Sequence, residues 1–239
     1  MRNISAIMRR ELLSLFCSPI AYIVIAGFLL ITGVAVLWTG SFSPGKPASL
    51  RDVFFWTPWM LTVIVPAISM RAIAEEYRSG TIESLMTAPV SELQLVLGKY
   101  FASLIFYVIM LAPTLVYVVL MEAFGNPDWG ASLSSYLGLL LIGVMFTAFG
   151  LFASSLTSNQ VVAWILGWVP LLLFACLAFF VVGLVQGWVR VVFQQVNVIG
   201  RFDEFSRGLV TTDGVVFFLA TAALFLFLAV KVVESRRWR

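Results

Sequence analysis

The sequence predicts an all-α integral membrane protein with six transmembrane helices. Of its 239 residues, 61% are hydrophobic and only 11% are charged, whereas about 25% of the residues in a soluble globular domain carry a charge. Long apolar runs separate the charged residues, and a run of about 20 residues is enough for a helix to cross the bilayer. An isolated crossing segment must satisfy its own backbone hydrogen bonds, so these runs predict helices.

Residues 1–16 predict an amphipathic helix that lies in the membrane interface. Arg2, Arg9 and Arg10 lie off its apolar face. The apolar face is formed by Ile4, Ile7, Met8, Leu12, Leu15 and Phe16. Span 1 follows at about residues 19–38, inside the first long run without charges.

The later charge-free runs place five more spans. Span 2 is short and contains Pro58 and Pro66, which predict a kink because proline removes a backbone hydrogen bond. The run from Asp128 to Arg190 is too long for one crossing, and the polar residues 154–160 divide it into spans 4 and 5. Spans 2 to 6 are predicted at about 53–70, within 99–122, at about 135–153, at about 161–184 and within 213–231.

A charged segment, residues 71–99, separates spans 2 and 3. Because a charged side chain at the bilayer centre costs about 2.5–3.5 kcal/mol, its stretch from residue 75 to residue 99 predicts an aqueous loop. Ser79 or Thr81 is expected to cap a short helix that ends at Pro89. Ser91 with Glu92 is expected to begin the next helix. An ordinary solvated loop is the alternative.

The distribution of basic residues predicts the orientation in the membrane. Ten of the 15 Lys and Arg residues lie on the side of the N-terminus and five lie on the other side. Cytoplasmic loops carry the excess of Lys and Arg, so both termini and residues 71–99 are expected in the cytoplasm.

Residues 185–213 predict a helical segment that lies on the outer surface without crossing the membrane. Apolar residues from Val185 to Ile199 recur on one helical face, while Gln186, Arg190, Gln194 and Asn197 fall largely on the other. A plain amphipathic surface helix and an external gate both remain open. The gate candidates are Trp188, Phe193, Phe202, Phe205 and Arg207.

The composition argues against several kinds of chemistry. The sequence has no histidine, which removes Ser-His-Asp and Cys-His catalysis and the commonest metal ligand. Cys17 and Cys176 show no metal-site spacing and are interpreted as small hydrophobic residues. Residues 40–46 match the start of a P-loop, but Pro47 stands where a Ser or Thr should bind magnesium. We therefore expect no cofactor on this chain and no nucleic-acid partner.

The charged segment resembles the first cytoplasmic loop of ABC-2 type transporter permeases. The matching residues are Glu76, Gly80, Thr81, Glu83, Leu85, Pro89, Ser91, Gly98 and Lys99. The stretch that begins at Phe202 is similar to permeases of the gliding-motility-associated branch, through Arg207, Gly208 and Asp213. The resemblance covers nearly the whole chain and implies one transmembrane domain, residues 1–239, with short external helices between spans 5 and 6.

The resemblance implies a non-catalytic exporter subunit that lies in a bacterial inner membrane. Two ATPase subunits would bind ATP and Mg²⁺ and dock on a coupling helix, and a second permease chain would complete the pore. A periplasmic auxiliary subunit and membrane lipids are further expected partners. The implied ATPase contacts are Glu76, Ser79, Gly80, Thr81, Ile82, Glu83, Leu85, Met86 and Pro89.

Some alternatives remain open. Glu83 is expected either to pair with a basic residue of the ATPase or to cap the helix, and Glu76 to hold Arg71 or a basic group of the N-terminal helix. A membrane scaffold and a secondary transporter are the alternative functions, although the predicted spans place no Asp, Glu, Lys or Arg at their middle.

Overall fold

The described part of the chain is built from α-helices. The structure is a computed structural model, and it describes residues 2–40, 50–81, 90–124, 128–184 and 186–236. The helices are α1 (Arg2–Phe16), α2 (Pro19–Thr39), α3 (Arg51–Ser69), α4 (Arg71–Ser79), α5 (Glu92–Leu111), α6 (Leu115–Phe124), α7 (Trp129–Leu156), α8 (Gln160–Leu184), α9 (Trp188–Val196), α10 (Val198–Ser206) and α11 (Thr212–Arg236). A 3₁₀ turn, Ala112–Thr114, joins α5 to α6.

Six helical stretches are long and apolar enough to cross a membrane, which confirms the predicted number of spans among the described residues. They are α2, α3 with α4, α5 with α6, α7, α8 and α11. The predicted polar break between spans 4 and 5 is present but shorter than expected, because Ser154 and Ser155 belong to α7 and Gln160 begins α8, which leaves residues 157–159 between the helices. A helix also forms at Arg2–Phe16, and its position in the membrane interface stays a prediction.

Helix α7 is the centre of the bundle. It packs against α3, α4, α5, α8, α10 and α11 and is the most buried of the six spans. Small residues allow this close packing: a Cβ atom built at Gly143 would lie 2.1 Å from the ring of Tyr107. Tyr107 is fully buried and donates a hydrogen bond to the Leu139 carbonyl, 2.7 Å away. Residue 143 must therefore stay a glycine for α5 to contact α7.

The bundle has two ends. Helices α1 and α4, the start of α5 and the end of α11 meet at one end, which we call the α1 end. Helices α9 and α10 and the start of α11 meet at the other, which we call the α10 end. Two short helices, α9 and α10, lie between spans 5 and 6, as expected, and Asn197 interrupts the apolar face that runs from residue 185 to residue 199. The Asn197 side chain accepts a hydrogen bond from the Gly200 amide and so starts α10 as a separate helix.

The chain stays helical through Pro58 and Pro66, where the expected kink stays a prediction, and Met70 separates α3 from α4. One boundary differs from the sequence-based expectation. The aqueous loop expected from residue 75 begins later, because α4 runs to Ser79 and ends at Gly80 in a left-handed conformation with φ of 71°. The expected start of the next helix is confirmed: Ser91 and Gln94 form a capping box at the start of α5.

Candidate functional site

Helix α4 leads from span 2 into the charged segment, and a serine of α7 fixes where it begins. The Ser154 hydroxyl donates to the Met70 carbonyl at 2.8 Å and accepts from the amide of Ala74 at 3.0 Å. It also accepts from the Ile73 amide at 3.1 Å. In an uninterrupted helix the Ala74 amide would bond to the Met70 carbonyl directly. Ser154 is thus inserted between the two groups, a known cause of an interruption between helices such as α3 and α4.

A buried ionic cluster joins α4 to the N-terminal helix and to α5. The Lys99 ammonium lies 2.9 Å from Oε1 of Glu76 and 3.2 Å from Oε2 of Glu11. Arg10 of α1 reaches the same Glu76 oxygen at 3.0 Å. The Lys99 side chain is only 1% exposed and that of Glu76 only 10%. Two positive and two negative charges therefore balance one another, and water is largely excluded from Lys99 and Glu76 but not from Arg10, whose side chain is 57% exposed.

The structure shows which of the two expected partners Glu76 has. Its partner on the N-terminal helix is Arg10, which confirms that alternative. Arg71 instead pairs with Glu75 at 2.9 Å and donates to the Ser18 hydroxyl at the turn between α1 and α2. The sequence pattern does not predict that Lys99 joins the cluster, because a charged side chain by itself indicates contact with water. Its position in a helical run of buried residues, with Leu95, Val96 and Ser103, is the signal that indicates burial.

Further contacts hold both sides of the loop that joins α4 to α5. The Arg236 guanidinium of α11 lies 4.4 Å from the centre of the Tyr77 ring and donates to the Leu156 carbonyl. Gly98 of α5 lies against Ile7 of α1, where a Cβ atom would come within 2.8 Å of the isoleucine side chain. The loop is thus attached to helices that pack tightly on both of its sides.

The structure describes only part of the predicted ATPase contact. Glu76 is buried in the ionic cluster, whereas Ser79, Gly80 and Thr81 are exposed at the end of α4. The Ser79 hydroxyl donates to the Glu75 carbonyl at 2.8 Å, so this serine takes part in the end of α4. The other predicted contacts lie outside the described residues: Ile82, Glu83, Leu85, Met86 and Pro89. The segment that resembles a P-loop also falls there, from residue 41 onward.

The predicted gate residues fall into two groups at the α10 end. Phe202 and Phe205 are buried and lie against α7 at Gly138. Trp188 is 78% exposed, and Phe193 is half-buried. Arg207, which directly follows α10, is exposed and pairs with Asp203 of that helix. Their proposed role in gating stays a prediction.

Asp203 ties α10 to span 2. Its carboxylate accepts from Arg51 at the start of α3, 3.2 Å away, and from Arg207. Partial burial acts to raise the pKa of Asp203, but the hydrogen bonds from Arg207 and Arg51 outweigh it and hold the pKa below its ordinary value. The contact is therefore present at neutral pH and weakens as the pH falls through that lowered pKa.

Comparison with known proteins gives two findings. A sequence profile of the family described as "ABC-2 family transporter protein" matches residues 48–196, more than half of the chain. Over 107 residues the chain is 31% identical to proteins described as "Probable multidrug ABC transporter permease YbhR", from Escherichia coli K12 and from Escherichia coli O157:H7. That alignment covers 44% of this chain and spans 28% of the length of each relative.

Proposed function

Because the chain belongs to the ABC-2 family of transporter proteins, we propose that it is the permease subunit of an ATP-driven exporter. Two partner ATPase subunits bind ATP and Mg²⁺, and this chain supplies the membrane path together with a second permease chain. An auxiliary subunit outside the membrane completes the proposed assembly. The similarity to proteins described as probable multidrug permeases suggests an organic compound as the cargo. Arg207, Gly208 and Asp213 support a place near the gliding-motility-associated branch.

The attachment of the α4–α5 loop is the observation that carries this proposal. Glu76 and Lys99 join the two sides of the loop to each other, 2.9 Å apart. Ser154 connects α4 to the central helix α7. A push on the loop from a soluble partner would therefore move α4 and α5 as packed bodies rather than bend a flexible linker. Such rigid-body motion is a common way of switching a transporter between states.

The first prediction tests the contact with the ATPase. Ile82, Leu85 and Met86 lie three and four residues apart, which favours one apolar face on a short helix. Such a face can fill a cleft in the ATPase, where a buried contact residue is typically worth about 2 kcal/mol or more. We expect Leu85→Asp, and separately Glu83→Lys, to abolish co-purification of the ATPase or to uncouple its activity from transport. Membrane insertion should be normal in both.

Leu209→Asp is the matched control for the exchange of leucine for aspartate. Leu209 is an exposed leucine, but it lies at the α10 end of the bundle, opposite the proposed contact with the ATPase. This control should keep ATPase binding and transport. Full ATPase binding and transport in the Leu85 and Glu83 variants would show that the loop is a spacer and does not form the contact with the ATPase.

The second prediction tests the orientation, which the excess of Lys and Arg on the side of the N-terminus supports. Both native cysteines, Cys17 and Cys176, are first replaced by serine. In intact cells we expect a membrane-impermeant maleimide to label Leu209→Cys and to label Ser79→Cys only after permeabilisation. Labelling of Ser79→Cys from outside would reverse the proposed topology.

A further inference from the structure

An apolar groove runs along α7 between α8 and α11. It has a volume of about 330 Å³, within the range of roughly 300–1,000 Å³ that is usual for ligand pockets. Phe149 of α7, Pro170 and Phe174 of α8, and Phe217 and Phe225 of α11 line it. Val196 at the end of α9 lies at the rim, so the groove reaches the α10 end of the bundle.

The groove lies within the part of the bundle that crosses the membrane. Both α8 and α11 are long and apolar enough to span a bilayer. From the first residue of α11 to Phe225 the helix rises about 20 Å at about 1.5 Å per residue. The groove is lined from Phe217 to Phe225, about 12 Å of this helix, and one leaflet of the hydrocarbon core is about 15 Å thick, so the groove lies mostly at the depth of the leaflet at the α10 end. The molecules that surround such a groove carry acyl chains.

A polar cavity of about 520 Å³ lies beside the apolar groove at the α10 end. Three charged residues line it: Arg201, Glu204 and Asp213. The Arg201 guanidinium lies 4.7 Å from the centre of the Phe217 ring, which lines the groove, so this side chain stands where the two spaces meet. Gln195 accepts two hydrogen bonds from Arg201, at 2.9 Å and 3.0 Å, and orients it. Among the described residues no carboxylate pairs with this guanidinium.

We propose that the groove and the polar cavity together bind one zwitterionic phospholipid. Its acyl chain lies along the aromatic side chains, its phosphate contacts Arg201, and its ammonium group faces Glu204 and Asp213. Charge complementarity selects this occupant, because the cavity holds one guanidinium and two carboxylates. An anionic headgroup without an ammonium group would leave both carboxylates facing negative charge. The inference does not depend on the coupling to an ATPase.

The experiment uses a phosphatidylethanolamine that carries a photoreactive diazirine within its acyl chain. The purified chain in a nonionic detergent is irradiated with this probe, and the labelled peptides are identified by mass spectrometry. We expect saturable labelling around residues 217–225. Unlabelled phosphatidylethanolamine should displace the probe at a concentration roughly tenfold lower than unlabelled phosphatidylglycerol does, because the charges of the cavity favour the ammonium group.

Two comparisons between variants distinguish a specific lipid-binding site from non-specific contact with lipid. Thr221→Trp fills the groove and should remove most of the labelling, whereas Leu219→Trp, on an exposed position of the same helix, should not. The double variant Glu204→Gln/Asp213→Asn should still be labelled but should no longer prefer phosphatidylethanolamine over phosphatidylglycerol. Labelling that does not saturate and is equal in both tryptophan variants would overturn the site. Equal displacement by the two lipids in the unchanged protein would overturn the headgroup assignment.

Discussion

Replacing Lys99 with methionine is expected to destabilise the protein by about 3–5 kcal/mol, the usual cost of removing one partner from a buried ion pair. Lys99 is 1% exposed and pairs with both Glu76 and Glu11. Methionine fills a similar volume, so the loss comes from charge rather than from a cavity. The Glu76 oxygen Oε2 is already buried without a hydrogen-bond partner among the described residues. Without Lys99 that carboxylate keeps only Arg10, whose side chain is largely exposed.

Thermal stability is measured as the temperature above which the detergent-solubilised protein no longer gives a monodisperse peak. Lys231→Met is the matched control, because Lys231 pairs with Glu234 on the exposed end of α11. Exposed pairs of this kind contribute about 0.2–1 kcal/mol, so the control should melt close to the unchanged protein. Combining Lys99→Met with Glu76→Gln should recover part of the loss, since fewer buried charges then stay unpaired. Equal melting of the two single variants would contradict the role given to the cluster.

The six spans could be predicted from the sequence because their positions depend mainly on where charged residues are absent. Charged residues are excluded from the bilayer core, so charge-free runs mark the spans and the polar break before Gln160 marks a reversal. That rule says nothing about charges that meet one another. Lys99 and Glu11 are 88 residues apart in the chain, and only the packing of α1 on α5 brings them together. The pairing of these two residues was therefore not visible in any local pattern.

The local sequence pattern also did not predict the positions at which helices are interrupted. The apolar residues on either side of Asn197 continue one helical face, yet its side chain caps a new helix there. The interruption at Met70 depends on Ser154, which is 84 residues away in the chain. Ser154 was interpreted from the sequence as part of a polar break after span 4. Its hydroxyl instead bonds to the backbone of another span, a role that requires the tertiary structure.

Replacing Ser154 with alanine is expected to release the start of α4. The hydroxyl satisfies the Met70 carbonyl and the amides of Ile73 and Ala74, and Ser154 is fully buried. Leaving a buried backbone group unsatisfied costs about 1–3 kcal/mol. The chain can offset part of this cost by restoring the direct bond from Ala74 to Met70, but that would extend α3 into α4 and redirect the loop that follows. We therefore expect lower thermal stability and a loss of coupled transport of roughly tenfold, equivalent to about 1.4 kcal/mol.

Ser155→Ala is the matched control, because it removes a neighbouring hydroxyl that is equally buried. The Ser155 hydroxyl donates to the Phe152 carbonyl within its own helix, a local bond that contributes little to helix stability. This variant should keep its melting temperature and its transport activity when it is combined with the partner ATPase. Because residues 82–89 are unchanged in both variants, the ATPase should still co-purify with each. Transport that is equally high in the two variants would show that the direction of α4 does not carry the signal from the ATPase to the membrane helices.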